Sequence, residues 1–208
     1  MSRRWLFGLL AVLLAGCAAV SSAAEIEPVD EQKEAPPPVV APQEIYSLAP
    51  TASPYHSDLK DLGPAPELEN TVWLNTEGPL RLSDLQGKVV LLDMWTFGCI
   101  NCQHVIPSLK SWHRNYTSQG LVVIGNHYPE FSYEADLDHL KQAVQMLDVP
   151  YAVAQDNDGA TWRAYDTQYW PTLYLIDKSG HIRYRHIGEG AYDETEAAIQ
   201  DLLKETYP

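Results

Sequence analysis

An apolar run, Lys88-Val89-Val90-Leu91-Leu92-Asp93-Met94, leads directly into Trp95-Thr96-Phe97-Gly98-Cys99-Ile100-Asn101-Cys102. The run reads as a buried strand. After it, Val105, Leu109 and Trp112 recur at helical spacing up to about Tyr116. The cysteine pair therefore sits where a buried strand hands over to a helix. Cysteines at i and i+3 of a first helical turn share one face and can meet the short Cα separation that a disulfide requires. A helix N-terminus offers unpaired N–H groups and a partial positive charge that favour a thiolate. This placement predicts a reactive dithiol on an α/β scaffold.

The competing uses of the pair are weaker. The chain has three cysteines, and a bridge between residues three apart would constrain the unfolded chain little. Structural zinc takes about four ligands; there is no second C-x-x-C, and His104 cannot complete a site alone. Neither a metal nor any cofactor beyond the dithiol is expected.

The N-terminus reads as a targeting segment. Arg3 and Arg4 precede the apolar stretch Leu6 to Leu14, followed by Leu14-Ala15-Gly16-Cys17. That ending resembles the lipobox of bacterial lipoproteins, which implies cleavage of residues 1–16 and lipidation of Cys17; an ordinary secretory leader is the alternative. By the same resemblance Ala18, where an aspartate would retain the protein, slightly favours the outer membrane. Residues 17–66 carry Pro28, Pro36, Pro37, Pro38, Pro42, Pro50, Pro54, Pro64 and Pro66 among Ala, Glu and Gln. They are expected to form an extended tether. Acidic residues outnumber basic ones 28 to 14, and loss of Arg3 and Arg4 would take the net charge from −14 to −16. So acidic a chain is repelled by phosphate backbones, which excludes nucleic acid as a partner.

Residues 67–208 are expected to form one domain. Thr71 to Leu74 and Leu80 to Leu82 read as a short hairpin around Glu77-Gly78-Pro79. A further buried strand spans Leu121 to Gly125, an amphipathic helix Ala135 to Leu147, a short strand Tyr151 to Val153 and a short helix Asp158 to Tyr165. Thr172 to Ile176 and Ile182 to Arg185 read as a hairpin, and Tyr192 to Leu203 as a closing helix. Alternating strands and helices followed by a hairpin indicate an α/β sandwich with a mixed sheet.

On these residues the sequence resembles the thioredoxin superfamily, among its members the extracytoplasmic redoxins related to TlpA and ResA, and most of all the thioredoxin-like domain of DipZ-type proteins with their W-T-x-x-C-I-N-C signature. Asp93 lies six residues before Cys99, Pro107 five after Cys102, and Trp170-Pro171-Thr172 precedes the hairpin. The resemblance implies a three-layer thioredoxin-like sandwich around a central mixed sheet, here with an N-terminal hairpin extension. It implies that Cys99 is the nucleophile, Cys102 the resolving thiol, Asp93 a buried proton acceptor and Pro171 a cis-proline. Trp95, Phe97, Trp170 and Thr172 would line the substrate surface; Trp95 and Phe97 could equally cap the core. Parallel strands joined by helical crossovers end on the same sheet edge, so His127 and Glu130, after strand 121–125, would approach the cysteines as modulators. Ile100-Asn101 stands in place of the familiar Gly-Pro, so a reducing poise is not carried over.

The implied function is a membrane-tethered, exported thiol–disulfide oxidoreductase acting on protein thiols and disulfides, in cytochrome c maturation or disulfide reduction, with a DsbD/CcdA-like membrane electron donor. Two alternatives stand beside it. A peroxiredoxin-type thiol peroxidase would use P-x-x-x-T-x-x-C, where Thr96 fits but Leu92 replaces the proline. A non-catalytic adaptor would need neither thiol. Asp156-Asn157-Asp158 lacks the glycine and terminal glutamate of a calcium loop and reads as a turn and helix cap.

Overall fold

The computed structural model describes residues 55–207. The expected leader and Cys17 lie outside the described residues. Among the described residues there are six strands: β1 (Val72–Leu74), β2 (Val89–Trp95), β3 (Leu121–His127), β4 (Ala152–Gln155), β5 (Thr172–Ile176) and β6 (Ile182–Ile187). They form one sheet in the order β1-β4-β3-β2-β5-β6. Helices α1 (Ile100–Tyr116), α2 (Leu137–Met146), α3 (Ala160–Ala164) and α4 (Tyr192–Lys204) complete the domain. Among the described residues no helix is long and apolar enough to cross a membrane.

The parallel strands β2, β3 and β4 are linked through α1 and α2. Successive right-handed crossovers moving in one direction put both helices on one face. The period of two in β2 separates the two cores. Val89, Leu91 and Trp95 pack with residues of α1, α2 and α4, whereas Val90, Leu92 and Met94 pack with Trp162 of α3, Leu68 and Leu82. Helices, sheet, then α3 with the N-terminal segment make three layers around a mixed sheet, as expected. By the same alternation Asp93 points toward α1, the layer that carries the cysteines. Pro107 lies inside α1, where it has no N–H to donate to the preceding turn.

The expected N-terminal hairpin does not form. β1 pairs antiparallel with β4, Trp73 opposite Ala154, which satisfies the edge of the parallel trio. Asn75 turns the chain with φ +59, and its amide donates to the carbonyls of Val149 at 2.7 Å and Tyr151 at 3.1 Å. The second expected strand is instead drawn into a 3₁₀ turn at Leu82–Leu85. Both oxygens of the Glu67 carboxylate take its first N–H groups, Leu82 at 2.6 Å and Ser83 at 3.0 Å. An acidic side chain at a helical N-terminus fills orphan donors that a ladder would otherwise have filled.

The described end of the expected tether, residues 55–66, packs on the domain. Leu62 and Gly63 exchange backbone bonds with Ile182, and Ala65 donates to Gly180 at 2.9 Å. Arg183 anchors the segment from inside, donating to the carbonyls of Ser57 and Leu59 while paired with Asp177 at 2.9 Å and Glu205 at 3.2 Å. The prolines that suggested an extended chain here are compatible with an added edge segment, since Pro64 bridges His181 without using an N–H.

Candidate active site

The C-terminal ends of β2 and β3 lie side by side, with Trp95 opposite His127 in register. Beyond β2 the chain turns through Thr96-Phe97-Gly98, and Cys99 is the N-cap of α1. Cys99 is half-buried, while Cys102, one turn deeper, is 1% exposed; both are free thiols. Burial pushes the Cys102 thiol far up, the charge of Asp93 adds to this, and a bond from the Thr96 backbone opposes it. The outer sulfur can meet a partner; the inner one is held as a thiol.

Asp93 is 1% exposed and its Oδ1 has no hydrogen-bond partner. Desolvation alone raises its carboxyl to about 8. A carboxyl of that strength beside a buried thiol can exchange a proton with it near neutral pH. Pro171 follows a cis Trp170–Pro171 bond, and its carbonyl accepts from Gly188 N–H at 2.8 Å.

The expected substrate surface divides. Trp95 is 1% exposed and lies over Gly125, where an added Cβ would come within 2.7 Å of its Nε1; it supports the loop from below and offers no surface. Thr172 is also buried, its hydroxyl donating to the Tyr169 carbonyl at 2.7 Å. Phe97 and Trp170 remain half-buried. Trp170 packs on Trp162 at 4.4 Å and Tyr128 at 5.8 Å, and its indole N–H donates to the Tyr128 carbonyl at 3.2 Å.

β3 runs two residues further than the sequence reading placed it, so Asn126 and His127 belong to the strand. His127 is buried, stacked on Phe97 at 5.2 Å, and its Nε2 lies 3.3 Å from the Thr96 hydroxyl. Burial depresses its pKa to about 4, with the charge of Glu134 acting the other way, so the ring is neutral at pH 7. It braces the active-site loop. Glu130 is exposed and contributes its backbone N–H to Glu134.

Two buried polar groups escaped the sequence reading. Asn126 donates to Asp156 at 3.0 Å and accepts from Asn70 at 3.0 Å, tying the N-terminal segment to β3. Asp156 in turn accepts the N–H groups of Thr161 and Trp162 at the start of α3, the helix-capping use expected of that acidic triplet. Glu134 accepts from Gly98 N–H at 3.0 Å. Its signal, an acidic residue among aromatics after a strand end, was present but unremarkable. Among the described residues no three His, Cys, Asp or Glu side chains gather as metal ligands.

The AhpC/TSA family model matches residues 63–185. Protein DipZ of Mycobacterium tuberculosis is 43% identical over 155 residues, covering 73% of this chain and 22% of DipZ. This chain thus spans about a fifth of that relative's length. The thiol-disulfide oxidoreductase YkuV of Bacillus subtilis is 28% identical over 145 residues, covering 69% of this chain and 96% of YkuV. Among solved structures, a thiol-disulfide isomerase from Corynebacterium glutamicum matches with TM-score 0.61 at 29% identity, covering 68% of this chain and 98% of the other. With the sheet order, the cysteine pair at the mouth of α1 and the match over residues 63–185, the chain belongs to the AhpC/TSA family and has a thioredoxin-like fold.

Proposed function

We propose that this chain is a thiol–disulfide oxidoreductase that exchanges disulfides with exported polypeptides through Cys99 and Cys102. The observation that carries the reading is the depth difference within the pair: a reachable sulfur at the helix mouth, and a second sulfur buried beside an unpaired carboxyl. In the reducing direction the Cys99 thiolate attacks one sulfur of the partner's disulfide. A mixed disulfide forms and the other partner sulfur leaves as a thiolate. Asp93 takes the proton from Cys102, whose sulfur attacks Cys99. The Cys99–Cys102 disulfide forms and the second partner sulfur leaves; Asp93 gives back its proton and solvent supplies the other, so the partner ends as a dithiol. The two electrons gained by the partner are those lost by the enzyme pair; run backward, the same steps oxidise a partner.

The wider setting rests on the leader-like N-terminus and on the likeness to relatives. Residues 1–16 are a lipoprotein signal, Cys17 carries the lipid anchor, and the proline-rich stretch ahead of residue 55 holds the domain outside the cytoplasmic membrane, with the outer membrane slightly favoured. A DsbD/CcdA-like membrane protein supplies electrons, and cytochrome c maturation or disulfide reduction is the process served. A thiol peroxidase is not favoured. The Thr96 hydroxyl faces His127 Nε2, and Leu92, at the pattern's proline position, is buried in β2.

Cys102→Ser is expected to stop the reaction at the mixed disulfide. Covalent adducts should accumulate on Cys99 in the native host, be released by dithiothreitol, and be identified by mass spectrometry. No adducts under oxidising conditions would refute exchange with polypeptides.

A further inference from the structure

One buried charge takes no part in that exchange. Glu134 is 0% exposed and lies in the 3₁₀ turn Ser132–Ala135. A carboxylate leaves water at tolerable cost only when donors replace its hydration. Here Oε2 accepts the backbone N–H groups of Glu130 at 2.6 Å and Phe131 at 2.9 Å. Oε1 crosses to the other loop and accepts from Gly98, the residue before Cys99, at 3.0 Å. The contact is so close that a Cβ on Gly98 would stand 2.1 Å from Oε1 and 2.8 Å from the Tyr133 hydroxyl. A side chain at position 98 would therefore have to push the Glu134 carboxylate off the Gly98 N–H.

On the solvent side of this clamp runs a row of aromatic rings. Phe97 meets Tyr133 edge-on at 5.8 Å, and Tyr133 stacks on Phe131 at 6.0 Å. Phe131 and Tyr133 are 53% and 50% exposed, and Ile100, next to Cys99, is 59% exposed. A polypeptide that presents a half-cystine to Cys99 must lie over the surface beside it, so this ledge continues the mixed-disulfide contact. Rings left in water at such a place gain from covering by a large apolar side chain.

We propose that Glu134 is a positioning residue for polypeptide recognition: it fixes the Phe131–Tyr133 ledge beside Cys99, where the ledge receives an aromatic or long aliphatic side chain flanking the partner's half-cystine. The inference rests on the exchange reading above and adds the chemistry of the substrate.

The test compares the full-length reduced protein with its Glu134→Gln and Phe131→Ala/Tyr133→Ala variants on two substrates, insulin and oxidised 2-mercaptoethanol. Glutamine keeps the size of the side chain but turns an N–H toward donors that need an acceptor. The ratio of the rate constant for insulin to that for the small disulfide should fall at least about fivefold in both variants. The triple variant should fall no further than the Phe131/Tyr133 pair, because one ledge cannot be lost twice. An unchanged ratio in Glu134→Gln, or effects that multiply in the triple variant, would overturn the proposal. If Glu134→Gln does not fold, the two exposed substitutions decide alone, an unchanged ratio again overturning it. A wild-type protein inert toward both substrates would instead overturn the exchange reading, and this inference with it.

Discussion

Cys99→Ser should slow the opening of a polypeptide disulfide by about 10³-fold or more, some 4 kcal/mol of activation free energy. Disulfide exchange needs a thiolate, and a serine hydroxyl does not ionise to a comparable nucleophile at neutral pH. Cys102 cannot take over, because it is 1% exposed and burial holds its thiol far above the ordinary range. A partner's sulfur would have to pass through the packed first turn of α1 to reach it. Reduction of insulin by the purified protein with dithiothreitol as electron source measures the effect. Activity in Cys99→Ser within tenfold of wild type, by the scale that one decade is about 1.4 kcal/mol, would show that the outer sulfur is not the nucleophile.

Asp93→Asn should make the protein more stable and at the same time a poorer catalyst. In the folded chain Asp93 titrates near 8, against an ordinary value of 3.8. Between those values the unfolded chain has lost the proton and the folded chain keeps it. The folded state then binds more protons, and stability falls as pH rises across that window. Below the lower value the residue costs nothing in this respect; above the upper one the full cost is present. Asparagine cannot ionise, so the substitution should raise stability at pH 7 by about 2–4 kcal/mol and flatten the pH dependence between 4 and 8. Urea denaturation across that range gives both numbers. In catalysis the sign reverses. Resolution by Cys102 should accelerate as pH rises through about 8, where Asp93 becomes a base, and Asp93→Asn should lose that rise. Equal stability of the two proteins across the window would mean that Asp93 is not held protonated by burial.

The elements legible in the sequence were those with a strong period or a chemical punctuation mark. Lys88 to Trp95 announces β2 through its continuous apolar run, and Thr172 to Ile176 with Ile182 to Arg185 announces the β5–β6 hairpin. The cysteine pair located the mouth of α1 because strand, loop and helical stripe followed in order. The N-terminal extension misled because Leu80-Arg81-Leu82 alternates as a strand does, whereas the deciding partner, Glu67, lies far back in the chain. Local pattern holds no record of a carboxylate arriving from elsewhere. The same limit hid Glu134: its neighbours Phe131 and Tyr133 look like ordinary loop aromatics, and only the closeness to Gly98 reveals its place. For Trp95 the sequence leaves substrate surface and core cap equally open, and the fold takes the second, using the ring to cover Gly125.

A redox titration of the native domain most directly tests the idea that two sulfurs at one helix mouth open and close as a unit. The protein is equilibrated in glutathione buffers of graded potential, quenched, alkylated and digested, and the modification of Cys99 and Cys102 is read separately. Both residues should change together in a single two-electron transition, about 30 mV per tenfold change in their ratio. Thiols alkylated to the same extent in every buffer, or titrating apart from each other, would contradict the account.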